Sequence, residues 1–210
     1  MLKYSYIHKK RKKMNYFNSS IIVNKKLLLN PLNYLRFKLH TGRYIKISKM
    51  LKDGNLLDIG CGKPAEFMLD GSFLIFIDRK NSVGIDINDL KINSFKFVKA
   101  SVLNLPFENE TFDNIVAMEI LEHIEEVDRA LSEIKRVLKK DGVFIMSTPD
   151  NSLLWKIVWF LWSNSFGRMW RHKHLIEYTS DEWIKLVSKY FKIIEIKKYF
   201  LFTIILKCKK

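Results

Sequence analysis

The sequence predicts an α/β fold built on a mostly parallel sheet, and three observations carry that prediction. Short apolar runs rich in branched residues recur through the middle of the chain: "NLLDIG" (55–60), "SVGIDI" (82–87), "FDNIVAM" (112–118) and "GVFIMST" (142–148). Runs of this length and composition suit strands buried on both faces. Between the last two, Val127, Ala130, Leu131, Ile134, Val137 and Leu138 recur at helical spacing. Strands that alternate with helices imply parallel pairing through right-handed crossovers.

The elements follow in order. The first fifty residues predict basic helices, one over 32–51, covering the ligand cleft. The strand at 55–60 runs into Gly60, Cys61 and Gly62 and then Lys63-Pro64. Glycines at the carboxyl end of a strand let the backbone turn sharply and approach a ligand closely, and ligands of parallel sheets bind at those ends. The next strand ends on Asp86, 24 residues beyond Gly62, about where dinucleotide folds place a ribose-binding carboxylate. Its two oxygens can accept hydrogen bonds from both ribose hydroxyls. A short glycine motif alone is also an ordinary strand-to-helix turn; paired with Asp86 and the alternation, it favours an adenosine-type ligand.

The helix before 142–148 is expected to carry Lys139 and Lys140 in its last turn, with Gly142 as its stop. Thr179-x-x-Glu182 reads as a capping box that starts a helix through about Lys189. "FKIIEIKKYFLFTIILKCKK" then alternates as a closing hairpin completes a sheet. Between 151 and 178 lie four tryptophans, and the apolar run 153–162 is broken by Lys156. That run is too short to span a bilayer and long enough for a lid or an interfacial helix making peripheral membrane contact.

Composition narrows the class. At 210 residues one domain with one core is expected. No run approaches the roughly 18 to 20 apolar residues of a membrane span. The start lacks the apolar core of a secretory signal. Cys61 and Cys208 are far apart, which supports neither a disulfide framework nor a cysteine zinc site. The cytoplasm is the expected compartment. The net charge of +15 is unevenly spread: residues 1–53 hold 14 Lys/Arg against one acid, 54–150 hold 11 against 17, and 151–210 hold 12 against 4. A run such as "HKKRKK" (8–13) either attracts phosphate backbones and anionic membranes or is simply a solvated tail.

The ordered set "LLDIGCGKP", "VGIDIN", "SVLNLPFENETFDNIVAMEILEHI" and "LSEIKRVLKKDGVFIMSTP" resembles the class I S-adenosylmethionine-dependent methyltransferases, in particular the small-molecule branch with the ubiquinone- and menaquinone-pathway enzymes. The resemblance covers roughly residues 54–150 in detail and "HKHLIEYTSDEW" more loosely. It implies a Rossmann-like, seven-stranded, mostly parallel sheet with helices on both faces and an antiparallel C-terminal hairpin. It divides the chain into a basic helical extension (1–53) packing on the core and a methyltransferase domain (54–210), with 151–178 as a lid over the acceptor pocket.

The same resemblance assigns roles. Asp58, Gly60, Cys61 and Gly62 cradle the methionine part of S-adenosylmethionine, Asp86 holds its ribose, and Ile87 lies against the adenine. Ser101 and Val102 border the adenine edge, while Ala117, Met118 and Glu119 close the methionine side. Arg43 and Tyr44 are candidates for the cofactor carboxylate. Two positions depart from the family pattern. Pro64 replaces the third glycine of the Asp-x-Gly-x-Gly-x-Gly run, and Ser101 replaces the acid that commonly reads the adenine amino group. NAD is the weaker alternative cofactor, because no nicotinamide-side chemistry can be pointed to.

Methyl transfer needs few catalytic groups, since the sulfonium is already activated and the enzyme mainly aligns a nucleophile and excludes water. His123, in "EILEHIEE", is the candidate general base; a helix-entry packing role is its plainer reading. Glu119, Glu122 and His123 also have the spacing to hold a divalent ion, with His172 or His174 as a further ligand. The metal-free reading, an acidic helix start, is favoured. The resulting expectation is methyl transfer to oxygen or another heteroatom of a small, aromatic or amphiphilic molecule. Two alternatives stand beside it: an RNA methyltransferase using the basic flanks, and a non-catalytic methyltransferase-like binding module.

Overall fold

The computed structural model describes residues 31–62, 73–77, 79–150, 178–200 and 203–210, with side chains from Lys38 onward. In chain order these form α1 (Pro31–Ser48), β1 (Leu56–Ile59), α2 (Phe73–Ile77), β2 (Ser82–Asp86), β3 (Lys96–Lys99) and β4 (Phe112–Met118). A 3₁₀ turn (Leu121–His123), α3 (Val127–Val137), β5 (Leu138–Pro149), α4 (Ser180–Ser188), β6 (Lys192–Tyr199) and β7 (Thr203–Lys209) follow. The strands make one sheet in the order β3-β2-β1-β4-β5-β7-β6. The first five are parallel, and β7 runs antiparallel to both β5 and β6. Strand order therefore reverses beside β1, the place where open α/β sheets bind ligands.

Period 2 in the strands sorts the core into two layers. Leu57 and Ile59 of β1 join Ile115, Phe144 and Met146 against α3 and Trp183 of α4. Leu56 points the other way, with Val116 and Ile145, against Ile47 of α1 and Phe73 and Ile77 of α2. Helices thus cover both faces. On α3 the buried residues are Val127, Ala130, Leu131, Ile134 and Val137, an apolar stripe at helical spacing. Each large aliphatic side chain buried this way contributes about 1.5–3 kcal/mol.

One boundary differs from the sequence expectation. Lys139 and Lys140 are not in the last turn of α3, because Leu138 is already extended (φ −76°, ψ 133°) and opens β5. Leu138 pairs with Phe112, and Lys139 reaches the Asp113 carboxylate at 2.9 Å. Tertiary pairing thus wins over helix continuation, and Lys135 and Arg136 occupy the cationic end of the helix instead. The register jumps from Phe112↔Leu138 to Asn114↔Val143. Gly142 serves this bulge: a β-carbon there would lie 2.6 Å from the Leu138 side chain and 2.8 Å from the Lys139 carbonyl.

The capping box at α4 forms in both halves, with the Thr179 amide donating to Glu182 Oε2 at 2.8 Å and the Glu182 amide donating to Thr179 Oγ1 at 3.4 Å. The Ser180 amide donates to Asp150 Oδ1 at 3.0 Å, which ties this helix start to the end of β5. At the other corner the Tyr199 hydroxyl donates to the Leu39 carbonyl at 2.8 Å, and Gly42 leaves its ring the room a β-carbon would fill. The C-terminal hairpin thereby holds α1 on the sheet. Among the described residues no helix is long and apolar enough to cross a membrane.

Candidate functional site

The residues singled out in the sequence gather at the carboxyl ends of β1, β2, β3 and β4. Gly60 and Gly62 both take left-handed backbone conformations (φ +68° and +63°), which glycine adopts without strain. The turn is fixed from below, where the Gly60 and Cys61 amides donate to the Ile85 carbonyl at 2.9 and 3.0 Å. A β-carbon on Gly60 would press on Ile120, whereas one on Gly62 would meet no described atom within 4 Å. The turn is thus packed on one side and open at Gly62.

Asp58 lies beneath this turn, 1% exposed, with neither carboxylate oxygen in a hydrogen bond among the described residues. Burial pushes its carboxyl well above the usual carboxylate range. A buried carboxylate without donors is costly, so a cationic or donor group that reached this side chain would be held strongly. Cys61 is buried beside it. Burial first, then the Asp58 and Asp86 carboxylates, drive its thiol far up, and its sulfur packs where a β-carbon of Gly84 would stand.

Asp86 ends β2 and links the two strand ends: its Oδ2 accepts from the Gly62 amide at 3.3 Å, and its Oδ1 accepts from the Asn88 amide and side chain at 2.9 Å each. Those contacts aim both oxygens while leaving lone pairs available. The neighbouring Ile87 is 68% exposed, an apolar wall with nothing packed on most of it. After β3, Ser101 Oγ accepts from the Leu103 amide at 3.2 Å and Val102 is buried. Ser101 therefore shapes its own loop.

Met118 closes β4, and Glu119 follows in a left-handed conformation (φ +53°). Glu119 Oε1 accepts from the Ser147 hydroxyl at 2.9 Å and pairs with Arg43 Nη1 of α1 at 2.9 Å. Tyr44, the other candidate for a cofactor carboxylate, instead packs on Phe73 and Phe76 with ring centroids 5.4 Å apart in each case. Glu122 is buried, its oxygens unpaired among the described residues, beside the orphaned hydroxyl of Thr148. Burial, and after it the Glu119 carboxylate, raise its pKa well above the ordinary value, against the pull of its backbone amide and Arg43.

His123 ends the 3₁₀ turn, its amide donating to the Ile120 carbonyl at 3.0 Å. Among the described residues no three His, Cys, Asp or Glu side chains are gathered to hold a metal ion, so Glu119, Glu122 and His123 are not brought together as ligands. The reason is local: Glu122 turns into the core while Glu119 turns to Arg43 and Ser147. Pro64, His172, His174 and the run 153–162 lie outside the described residues. Sequence reasoning passed over Ser147, Thr148 and Asn88; the polar pair that ends "GVFIMST" was the available signal for the first two.

Known proteins share this framework. Residues 57–146 match the family of methyltransferase domains. An uncharacterized protein of Methanocaldococcus jannaschii is 33% identical over 135 residues, covering 62% of this chain and 56% of that protein. The ubiquinone biosynthesis O-methyltransferase of Pelagibacter ubique is 31% identical over 132 residues, covering 59% and 55%. Sterol 24-C-methyltransferases of fungi match over shorter stretches. The crystal structure of the PH0226 protein from Pyrococcus horikoshii superposes with a TM-score of 0.60 at 20% identity, covering 83% of this chain and 90% of that one. The chain spans about half the length of the curated relatives it matches. With the strand order, the glycine turn and Asp86 in register, residues 57–146 are similar to the methyltransferase domain, and the fold is that of its solved structural neighbours.

Proposed function

We propose that this chain transfers a methyl group from S-adenosylmethionine to oxygen or another heteroatom of a small aromatic or amphiphilic molecule. The observation that carries the reading is the buried Asp58 carboxylate, unpaired among the described residues, under a glycine turn that no described atom covers at Gly62 and that is tied to Asp86. Those residues fit the cofactor: Asp58 answers a cationic ammonium, Asp86 accepts from ribose hydroxyls, and Ile87 offers an apolar face to the adenine. Ser101 and Val102 border that base, while Gly60, Cys61, Met118 and Glu119 line the methionine side, with Arg43 meeting its carboxylate. When bound, S-adenosylmethionine supplies an already activated methyl group, so orientation and exclusion of water are what the protein must add.

His123 is assigned to accept the proton of the acceptor group, and the segment 151–178 to cover it. The O-methyltransferase among the relatives supports an oxygen acceptor, whereas the sterol enzymes methylate carbon. The cytoplasm is the proposed compartment, and peripheral membrane contact through 153–162 suits an amphiphilic acceptor. RNA is the alternative acceptor, drawn from the basic 1–53 and 151–210 segments.

The deciding experiment is a calorimetric titration of S-adenosylhomocysteine into the protein and into Asp86→Ala. The expected result is low-micromolar binding, about −8 kcal/mol, largely lost in the variant; no binding by the folded wild type overturns the reading in favour of a methyltransferase-like binding module. A labelled-methyl assay with quinol, sterol and RNA acceptors then separates oxygen from carbon and small molecule from nucleic acid, RNA binding being marked by a steep salt dependence.

A further inference from the structure

Among the described residues four large apolar side chains are exposed, and three of them belong to one strand and the turn that ends it. Ile194, Ile196 and Phe200 are 41, 51 and 58% exposed; the fourth, Ile87, belongs to the site above. The strand is β6, the outer strand of the sheet. Ile196 and Lys198 stand opposite Leu206 and Ile204 and so share one face, as alternate residues of a strand must. Phe200 follows in a left-handed conformation (φ +54°), uncommon for any residue but glycine.

The pairing places this turn. Tyr199 is opposite Thr203, and Thr203 is opposite Pro149, the last residue of β5. The hairpin end therefore sits on the same edge of the sheet as the candidate site. The corner is also cationic. Lys198 is exposed, Lys38 is exposed at the α1 contact, and the Lys46 ammonium lies 5.1 Å from the Tyr199 ring centroid. Lys197 is paired with Glu195.

Exposed apolar side chains beside Lys198, with Lys46 on the α1 side of the same corner, match one kind of partner, the interface of an anionic bilayer. Rings and alkyl groups enter the acyl boundary while ammonium groups stay at the phosphates. We propose that the β6–β7 hairpin end seats this chain on an anionic lipid surface, with Phe200 and Ile196 as apolar anchors and Lys198 and Lys46 as headgroup contacts. This docking places the carboxyl edge of the sheet against the bilayer, from which an amphiphilic acceptor can enter the cleft. It extends the function proposed above, and its test needs neither cofactor nor turnover, so the two readings fail separately.

The test is flotation of the whole chain with phosphatidylcholine vesicles and with vesicles that also contain phosphatidylglycerol. The wild type is expected to float with the anionic vesicles. Phe200→Ser should weaken that binding about tenfold, and adding Ile196→Ser should weaken it further. Lys198→Glu should weaken binding to anionic vesicles and leave any binding to neutral ones unchanged. An unaltered thermal transition shows that each variant is folded. The basic residues 1–53 also attract anionic lipid, but charge alone would leave Phe200→Ser binding like the wild type. That result overturns the proposal. So does a wild type that floats with neither vesicle, or a patch buried in a dimer of this chain, seen as a concentration-dependent dimer that the same substitutions dissolve.

Discussion

Arg43 and Glu119 form an ion pair, 2.9 Å from Nη1 to Oε1, that joins α1 to the loop leaving β4 with side chains only 12% and 27% exposed. The Nε of Arg43 is buried and without a partner among the described residues. The guanidinium thus keeps donor capacity for a second anion, which the function proposed above would place at the methionine end of the cleft. Arg43→Gln is expected to weaken S-adenosylhomocysteine binding by about 1.5–3 kcal/mol, the range of a hydrogen bond to a charged group, as measured by calorimetry. An unchanged affinity would leave Arg43 as a brace between α1 and β4 and nothing more.

Asp58 sets stability against binding. Its pKa is raised on folding by burial, so its ionisation costs the native state free energy that the unfolded chain does not lose. The penalty is absent below the unfolded value of about 3.9 and grows as pH rises from there toward the folded value. Asp58→Asn should therefore melt at or above the wild-type temperature at neutral pH, with the difference closing in acid, while losing affinity for S-adenosylhomocysteine. Melting curves across pH check the first part, and a titration checks the second.

Arg136 and Glu133 fasten the loop after β3 to α3, and they carry the opposite pH dependence. Arg136 donates to the Leu105 carbonyl at 2.9 Å, the Phe107 carbonyl at 2.8 Å and Glu133 Oε1 at 2.7 Å, and Glu133 Oε2 accepts from the Leu105 amide at 2.8 Å. The Arg136 hydrogen bond, foremost, holds the Glu133 carboxyl below its ordinary value. A carboxyl lowered on folding contributes stability above its unfolded pKa of about 4.3 and loses it as pH falls through the folded value. Arg136→Ala should cost about 2–3 kcal/mol at neutral pH, and less in acid. Urea unfolding at the two pH values measures both.

The two site glycines should separate strain from obstruction. Gly60→Ala combines a left-handed backbone with a β-carbon 2.8 Å from Ile120, and Gly62→Ala meets only the backbone cost among the described residues, none of which lies within 4 Å of its β-carbon. The backbone term is about 1–2 kcal/mol in each. Gly60→Ala should be the less stable variant by thermal melting. Gly62→Ala should lose more cofactor affinity relative to its loss of stability, since its new methyl group stands where the ligand is proposed to lie.

What was legible in the sequence was whatever a single strand or helix decides for itself. The strand ends carrying Asp58, Gly60, Gly62 and Asp86 were read because a strand buried on both faces is a continuous apolar run. The Thr179–Glu182 cap was read because both partners lie within one turn. β3 was not read: "KFVK" is four residues long at the sheet edge, its two lysines exposed, and too brief to show a period. α2 was missed because "FLIFI" is apolar throughout, and a short all-apolar run does not distinguish helix from strand. The α3–β5 boundary failed because Phe112 and Asp113, on another strand, decide where Leu138 and Lys139 go. The unpaired state of Asp58 and the grip of Arg43 on Glu119 depend on packing that no local pattern encodes.

The position of β7 has a consequence for biosynthesis. It leaves the ribosome after the other six strands of this sheet, yet it lies between β5 and β6. Until residues 203–209 emerge, the whole length of β5 presents an unpaired edge, which in other sheets invites addition of foreign strands. The hydroxyl of Tyr199 reaches back 160 residues to Leu39, so α1, made early, is locked late. A nascent chain stalled before the hairpin exposes the open edge of β5, the kind of unpaired edge that makes partly folded chains prone to aggregation.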